Sequence, residues 1–414
     1  MNNYNTFIYQ IKGGLCNFSS KLSKSLGRVE SKFISSVVYG VVKSDSPMLS
    51  EIGRALKENI KLKDTIDRLS KNLANIYKRL DVLWSNYHNE IKPKLNSESI
   101  MSFDFSDVIK PLGKKFEDLT LVADGSDEHK LKLGYWIAEA TVLINDRVVS
   151  LYSQVFSTIS KGFKSTNDIA FKILDKVYSS FGNIATMVMD RGFDDQKFFK
   201  YFVAKTWGFI IRASHINRIV YYDGSKIKLS VLKNEFKGKY STTIFIKGKN
   251  HRVKCSFVKI KVPGIKEELT VIFVYFNKST SMFITNLDVI GKNSCLDIVY
   301  TYYKRWRIEE YFKYKKQCFT FENFRVRDLE RINSLNTLMT VALSAIELIT
   351  RNKTNLLSFI LKEANSIKDT VRFEYYRLAR GLKSILDHTI TGIACFFVTS
   401  NIIQLSLFEN FAET

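Results

Sequence analysis

The sequence predicts an α/β protein: an α/β core with a β-rich insertion, flanked by an N-terminal and a C-terminal helical part. Three observations predict it. Between residues 100 and 212, short apolar runs of strand character alternate with helical periodicity. From about 215 to 285 the pattern becomes period-2, with Lys at many of the outward positions. Before residue 98 and after about 327, apolar residues recur at helical spacing. The boundaries that follow are a helical region over 1–98, a core over 99–330 with its insertion at 215–285, and a helical region over 331–414.

Residues 1–43 form a mixed, basic, helix-compatible lead. Asp45, Ser46 and Pro47 then give a cap followed by proline at the first helical position. Leu49, Ile52 and Leu56 share one face of this helix, and Ile66, Leu69 and Leu73 that of a second. With Arg54, Lys57, Lys61, Lys63, Arg68 and Lys71 around them, the two helices read either as a helix-turn-helix for DNA or as an ordinary helical hairpin. Pro93 and the polar residues 96–99 mark a linker.

A strand over 100–107 ends in the acids Asp104 and Asp107. Strands at 135–144 and 148–155 flank Asn145, Asp146 and Arg147, a hairpin signal. A helix over 168–181, capped by Asn167 or Asp168, leads to a buried strand over 184–189 that ends at Asp190. A helix through 198–204 and a strand at 208–212 follow, and the strand–helix–strand order implies a parallel pair. In the insertion, strands are expected at 226–231, 242–246, 253–262 and 269–276. The sets Leu335, Leu338, Met339, Ala342 and Leu357, Ile360, Leu361 predict a small C-terminal bundle or an oligomer contact.

Composition narrows the partner. The chain carries 63 Lys+Arg against 41 Asp+Glu, a formal charge of +22. This excess is spread along the sequence and points to a polyanion. The five cysteines have no metal-ligand spacing, which argues against structural zinc and suits a reducing compartment. The start lacks a signal-peptide pattern and no apolar run reaches about 18 residues, so a cytoplasmic location is expected.

No Gly or Pro interrupts residues 295–321, which predicts one continuous helix, with Ser294 and Asp297 as a capping box. At about 100° per residue, Tyr302, Arg305, Glu309 and Lys316 share an arc of about 60°. Leu296, Val299, Tyr303 and Trp306 form an apolar stripe beside it. One carboxylate among two cations and a phenol is either a surface ion-pair network or a metal-binding acid set among phosphate-gripping side chains. The second reading needs partner acids elsewhere. Asp190 qualifies, since the C-terminal end of a strand is where α/β sheets place chemistry. Asp104 is the candidate for the third, with Asp107 and Asp124 as competitors.

These acids, the insertion and the helix together resemble the RNase-H-like catalytic core of DDE transposases. The Tyr-x2-Arg-x3-Glu-x6-Lys spacing of Tyr302, Arg305, Glu309 and Lys316 is similar to the YREK signature of cut-and-paste transposases of the insertion-sequence-4 type. Asp190, Arg191, Gly192, Phe193 and Asp194 resemble the second-aspartate motif, and residues 104–110 the first. Shorter likenesses occur at Asp124, Gly125 and Ser126, at Gly134, Tyr135 and Trp136, and at Thr285 and Asn286. The resemblance runs from about residue 45 to 345. It implies the transposase of a bacterial insertion sequence, which cleaves and transfers DNA strands at element ends through a hairpin intermediate.

Asp104, Asp190 and Glu309 would then be the catalytic, metal-binding acids. Three carboxylates meeting at one site need a cation. Hard oxygen ligands suit Mg2+ or Mn2+, here two ions about 3.5–4 Å apart. Tyr302, Arg305 and Lys316 would grip backbone phosphates. Trp306 would stack on an extruded base, unless it is a core residue. The resemblance also implies double-stranded DNA partners, both terminal repeats and target, and a homodimer on paired ends of a nucleoid-associated protein. A catalytically inactive DNA-binding derivative and an RNase-H-like nuclease without strand transfer are the other readings.

Overall fold

The computed structural model describes residues 2–127, 130–246, 248–350, 353–364, 374–389 and 391–393. Five helices open the chain: α1 (Asn2–Leu22), α2 (Arg28–Ser44), α3 (Leu49–Leu56), α4 (Leu62–Ile76) and α5 (Leu80–Ile91). The strands β1 (Ile100–Ile109), β2 (Thr120–Ala123), β3 (Leu131–Ile144) and β4 (Arg147–Phe156) follow. Next come α6 (Thr166–Phe181), β5 (Thr186–Met189), α7 (Gln196–Ala204) and β6 (Phe209–Ala213). The stretch after residue 215 holds β7 (Ile219–Tyr222), β8 (Ser225–Lys228), α8 (Leu229–Glu235), β9 (Tyr240–Ile246), β10 (Lys249–Lys261), β11 (Glu268–Tyr275) and β12 (Thr280–Thr285). Helices α9 (Lys292–Lys304), α10 (Arg307–Lys313), α11 (Leu329–Thr350), α12 (Thr354–Glu363) and α13 (Glu374–Asp387) complete the described chain.

The twelve strands of the described residues all join one mixed sheet. In one half the order is β4-β3-β1-β5-β6, with β1 antiparallel to β3 and parallel to β5, and β5 parallel to β6. The β3–β4 turn is the expected hairpin. Asn145 and Asp146 both adopt positive φ, 51° and 60°, as a two-residue turn that follows the strand twist requires. The insertion prolongs this sheet: β12 pairs antiparallel with β6, and β11, β10, β7 and β8 continue outward.

Alternation along β5 and β6 explains why both faces are covered. Met187, Met189, Phe209 and Ile211 enter the main core, whereas Val188 and Ile210 enter a second core beneath α9 with Val299 and Tyr302. Helix α9 therefore lies across the sheet, and its C-terminus arrives where β5 ends.

The N-terminal lead is two long helices. Ile34, Val37, Val38 and Val41 of α2 are fully buried and join the same core as α11. Leu335, Leu338, Met339 and Ala342 are likewise buried within the chain, against β4 and α2. Helix α11 is long and apolar enough to cross a membrane, yet most of its apolar surface is already packed inside the fold. Residues 394–414, part of the expected C-terminal region, lie outside the described residues, as does Cys395.

Several local expectations are corrected. Helix α3 starts at Leu49 rather than at Pro47, because Met48 is still extended, at φ −74° and ψ 123°. The cap of α6 is Ser165, whose hydroxyl accepts the Asp168 N–H at 3.1 Å, rather than Asn167 or Asp168. The alternating run 226–231 is strand only to Lys228, and from Leu229 it turns into α8, burying Leu229 and Leu232 on one helical side. Strands β2, β7 and β12 are not among the expected ones.

Candidate active site

The helix expected over 295–321 is three pieces. Helix α9 ends at Lys304, α10 runs from Arg307, and Tyr314–Cys318 is a π turn. Around Arg305 the chain tightens: the amides of Arg305, Ile308 and Glu309 each bond the carbonyl three residues back, at 3.0–3.1 Å. Beyond α10 it loosens, with Phe319 N–H reaching Tyr314 O five residues back. Neither change involves Gly or Pro, so composition did not announce them. The start also differs: Gly291 is the cap, and Ser294 sits inside the first turn with its hydroxyl accepting the Gly291 N–H at 3.2 Å. Asp297 takes no part in that cap.

The strand β1 carries Asp104 in its middle, not at its end. The position is still special. Strand β5 pairs with β1 only as far as Phe103 opposite Met189. Asp104 and Asp190 are the next residues on each strand, at the fork where the parallel pairing stops. The Asp104 carboxylate accepts its neighbour's N–H, Phe105, at 2.9 Å, on the stretch that β5 no longer covers.

Arg305 joins two of the three acids. It donates to Asp104 Oδ2 at 3.2 Å and to Glu309 Oε1 at 2.8 Å. Asp190 Oδ1 accepts the Tyr302 hydroxyl at 3.1 Å and lies 4.0 Å from Arg212. The tight turn at 302–309 brings Tyr302, Arg305 and Glu309 to the same edge of the sheet. Arg305 is buried, whereas Glu309 remains 40% exposed.

Electrostatics follow from this crowding. Burial pushes the Asp104 carboxyl up to about 6; Arg305 opposes the rise, and Asp190 and Glu309 add to it. Asp190 feels burial too, but Arg305, the Arg191 N–H, Tyr302 and Arg212 together hold it below its ordinary value. Arg305 is held above its usual value, since Tyr302 and the three acids outweigh its desolvation. The hydroxyl of Tyr302 is pushed up by burial and stays a proton donor to Asp190.

A cleft of about 1100 Å³ opens on this group. Its walls include Asp190, Arg191, Arg212, Tyr302, Trp306 and Glu309, with Phe245 and Ile246 from β9 opposite. Asp104 does not line the cleft and joins the group through Arg305. Trp306 is not a core residue: it is half-buried on the cleft wall, with Lys313 Nζ 5.3 Å from its ring centre. Trp306 Nε1 is buried, and no described residue accepts its hydrogen.

Lys316 does not join the acids. The π turn rotates it away, since such a turn holds more residues than an α turn. It pairs with Asp107 at 2.9 Å and with Glu322 at 3.7 Å. Asp124 pairs with Lys132 at 2.9 Å and accepts the Ser126 hydroxyl at 2.6 Å. Of the three candidates for the first acid, Asp104 is the one whose carboxyl feels Asp190 and Glu309, and it shares Arg305 with Glu309.

Reasoning from sequence missed Lys315 and Glu139, a fully buried ion pair at 3.0 Å. The signal available was a lone Glu in the otherwise apolar run of β3.

Residues 140–345 match the family model described as "Transposase DDE domain". Asp190 and Glu309 lie inside that stretch, and Asp104 lies before it. No curated protein matches the chain. Among solved structures, the chain is similar to a piggyBac transposase synaptic complex with hairpin DNA, at 9% identity and a TM-score of 0.45, covering 97% of this chain and 82% of that one. It is also similar to the NurA nuclease from Sulfolobus solfataricus, at 14% identity and a TM-score of 0.23, covering 59% and 82%.

Proposed function

We propose, from the premise that this chain is a DDE transposase, that it serves a bacterial insertion sequence of the insertion-sequence-4 type. It would cut double-stranded DNA at the element's terminal repeats and join the freed 3′ ends to target DNA. The observation that carries this reading is the convergence of Asp104, Asp190 and Glu309, from two strand positions and a helix, on neighbouring residues of one helix edge: Arg305 binds Asp104 and Glu309, and Tyr302 binds Asp190. The strand order β4-β3-β1-β5-β6, three antiparallel strands leading into two parallel ones, supports an RNase-H-like core.

The donor set fits hard divalent ions such as Mg2+ or Mn2+. Asp104, Asp190 and Glu309 are the residues that would hold them. Among the described residues no three acid, His or Cys groups already close into a cage, and Arg305 stands between Asp104 and Glu309. When bound, two such ions supply an activated oxygen and stabilise the leaving 3′ oxygen.

The chain's own groups do the rest. Arg305 neutralises the acids while DNA is absent. Its planar fork matches a phosphate equally well, so an arriving backbone phosphate draws it from Asp104 and Glu309 and frees both carboxylates. The Tyr302 hydroxyl keeps Asp190 oriented by donating to it. Trp306 offers an apolar face on the cleft wall to an extruded base, which suits a hairpin intermediate. Lys316 reaches a phosphate only by giving up Asp107. A homodimer on paired ends, acting at the cytoplasmic nucleoid, belongs to the same proposal and rests on the family resemblance.

The test is Glu309→Gln with end DNA and Mg2+. Binding of ends is expected to persist while cleavage disappears. Cleavage at the wild-type rate by this variant would remove Glu309 from the site. Ends bound but never cut by the wild-type chain would favour an inactive derivative, and cuts without joined product a nuclease.

A further inference from the structure

Lys315 and Glu139 are both fully buried, at 1% and 0% side-chain exposure. Every strong donor and acceptor on them is used. Lys315 Nζ donates to Glu139 Oε2 at 3.0 Å, to Ser153 Oγ at 3.2 Å and to Thr340 Oγ1 at 2.8 Å. Glu139 Oε2 also accepts Ser153 at 2.7 Å, and its Oε1 accepts Ser150. The network thus ties the π turn to β3, β4 and α11 together.

Its position matters more than its strength. Glu139 lies directly opposite Asp104 in the β1–β3 register, so the two side chains share one face of the sheet. Lys315 follows Glu309 by six residues, just past α10. A buried ion pair is weak evidence for stability, because apolar residues of similar size usually do as well or better. What the pair does supply is a unique register. An apolar turn could slide along the sheet, but a lysine whose three partners sit on three elements cannot.

We propose that Lys315 and Glu139 are positioning residues: their pair locks the π turn to the strand beside Asp104 and so fixes where α10 presents Glu309. This rests on the DDE reading of the site. The widened turn has a use in this light. It places Lys315 into the network and Lys316 onto Asp107 within adjacent residues, which holds the end of α10 from two sides.

The experiment is the matched apolar replacement E139L/K315M in the full chain. Melting temperature and end-DNA affinity are expected to stay within about twofold of wild type in Kd and within a few degrees in Tm. Cleavage kcat is expected to fall at least ~10-fold, and Mn2+ binding followed by electron paramagnetic resonance to weaken. A purely structural pair would leave kcat and the Mn2+ isotherm at their wild-type values, whichever way Tm moves. A folded variant with wild-type kcat and Mn2+ affinity overturns the proposal. If the wild-type chain itself shows no metal-dependent cleavage, the DDE reading is what fails. Amide exchange of the wild-type chain decides the matter should the variant not fold. The lock predicts that amides of residues 314–318 exchange as slowly as those of β3, and fast local opening there overturns it.

Discussion

Strand β1 carries two acidic clusters, and they are built differently. Around Asp104, two carboxylates share the Arg305 guanidinium, while Asp190 accepts the Tyr302 hydroxyl and lies 4.0 Å from Arg212. A few residues further along, lysines and local hydrogen bonds serve the acids: Lys316 pairs with Asp107 and, more distantly, Glu322, which also accepts the Ile109 N–H at 2.9 Å, and Asp124 has Lys132 and Ser126. Asp104 is pushed up to about 6 by burial, whereas hydrogen bonds from Lys132 and Ser126 hold Asp124 well below the carboxylate range. Glu322 is also raised by burial, which the Ile109 N–H and Lys316 oppose. The lesson is one of stoichiometry. Acids held by lysines and local hydrogen bonds, as Asp124 is, are structural, and acids gathered on one buried guanidinium beside a cleft are where a divalent ion has something to add.

If the two clusters differ in this way, substitutions should separate them. The largest contrast is between Glu309→Gln, expected to lower cleavage about 10³-fold or more, and Asp124→Asn, expected to stay within about threefold. Gel assays on labelled end DNA measure both, and equal losses would erase the distinction. Next, Arg305→Ala removes the cation that Asp104 and Glu309 share and leaves Asp190 with Arg212 and Tyr302. Mn2+ affinity of the DNA-free protein should rise roughly 10-fold, while Lys132→Ala leaves it unchanged. A weaker Mn2+ isotherm for Arg305→Ala would mean that the arginine does not compete for the site.

Stability against pH sharpens the same comparison. Asp104 has a folded-state value of about 6, above its ordinary 3.8. Its contribution is therefore fully present below about pH 4 and is lost as pH rises through 6. Asparagine escapes that loss, so Asp104→Asn should stabilise the metal-free, DNA-free protein at pH 8, by an upper bound of about 2–3 kcal/mol, and not at pH 4. Asp124 is depressed, so its contribution is present above the ordinary carboxylate range and lost on acidification. Asp124→Asn should therefore destabilise at pH 7. Thermal melts across pH measure both signs. The smallest effect is expected for Lys316→Ala, a severalfold loss of end-DNA affinity with the salt slope falling by about 1. An unaltered slope would leave Lys316 as the partner of Asp107 alone.

Much of the site was legible because it depends on chemistry that spacing reveals. Asp190 closing an apolar run, and Tyr302, Arg305 and Glu309 at i, i+3 and i+7, are patterns of residue type and period. The hairpin at Asn145 and Asp146 was legible for the same reason. Three things were not. The break at Arg305 and the π turn after Lys313 carry no Gly or Pro; the buried contacts of Tyr302 and Lys315 with the sheet impose them. The place of Lys316 followed from that break, so a straight helical wheel put it on the wrong side. The mid-strand position of Asp104 depends on where β5 stops, which is a property of pairing between segments more than 80 residues apart. Strand β12 was missed because Thr280–Thr285 is short and sits beside a polar turn.

The central claim is that Asp104, Asp190 and Glu309 share a divalent ion and the neighbouring acids do not. Replacing Mg2+ by Fe2+ and generating hydroxyl radicals at the bound metal, with end DNA present, tests it most directly. Backbone cuts clustered near residues 104, 190 and 309 are expected. Cuts concentrated instead near 124 and 322, or no metal-localised cuts at all, would contradict it.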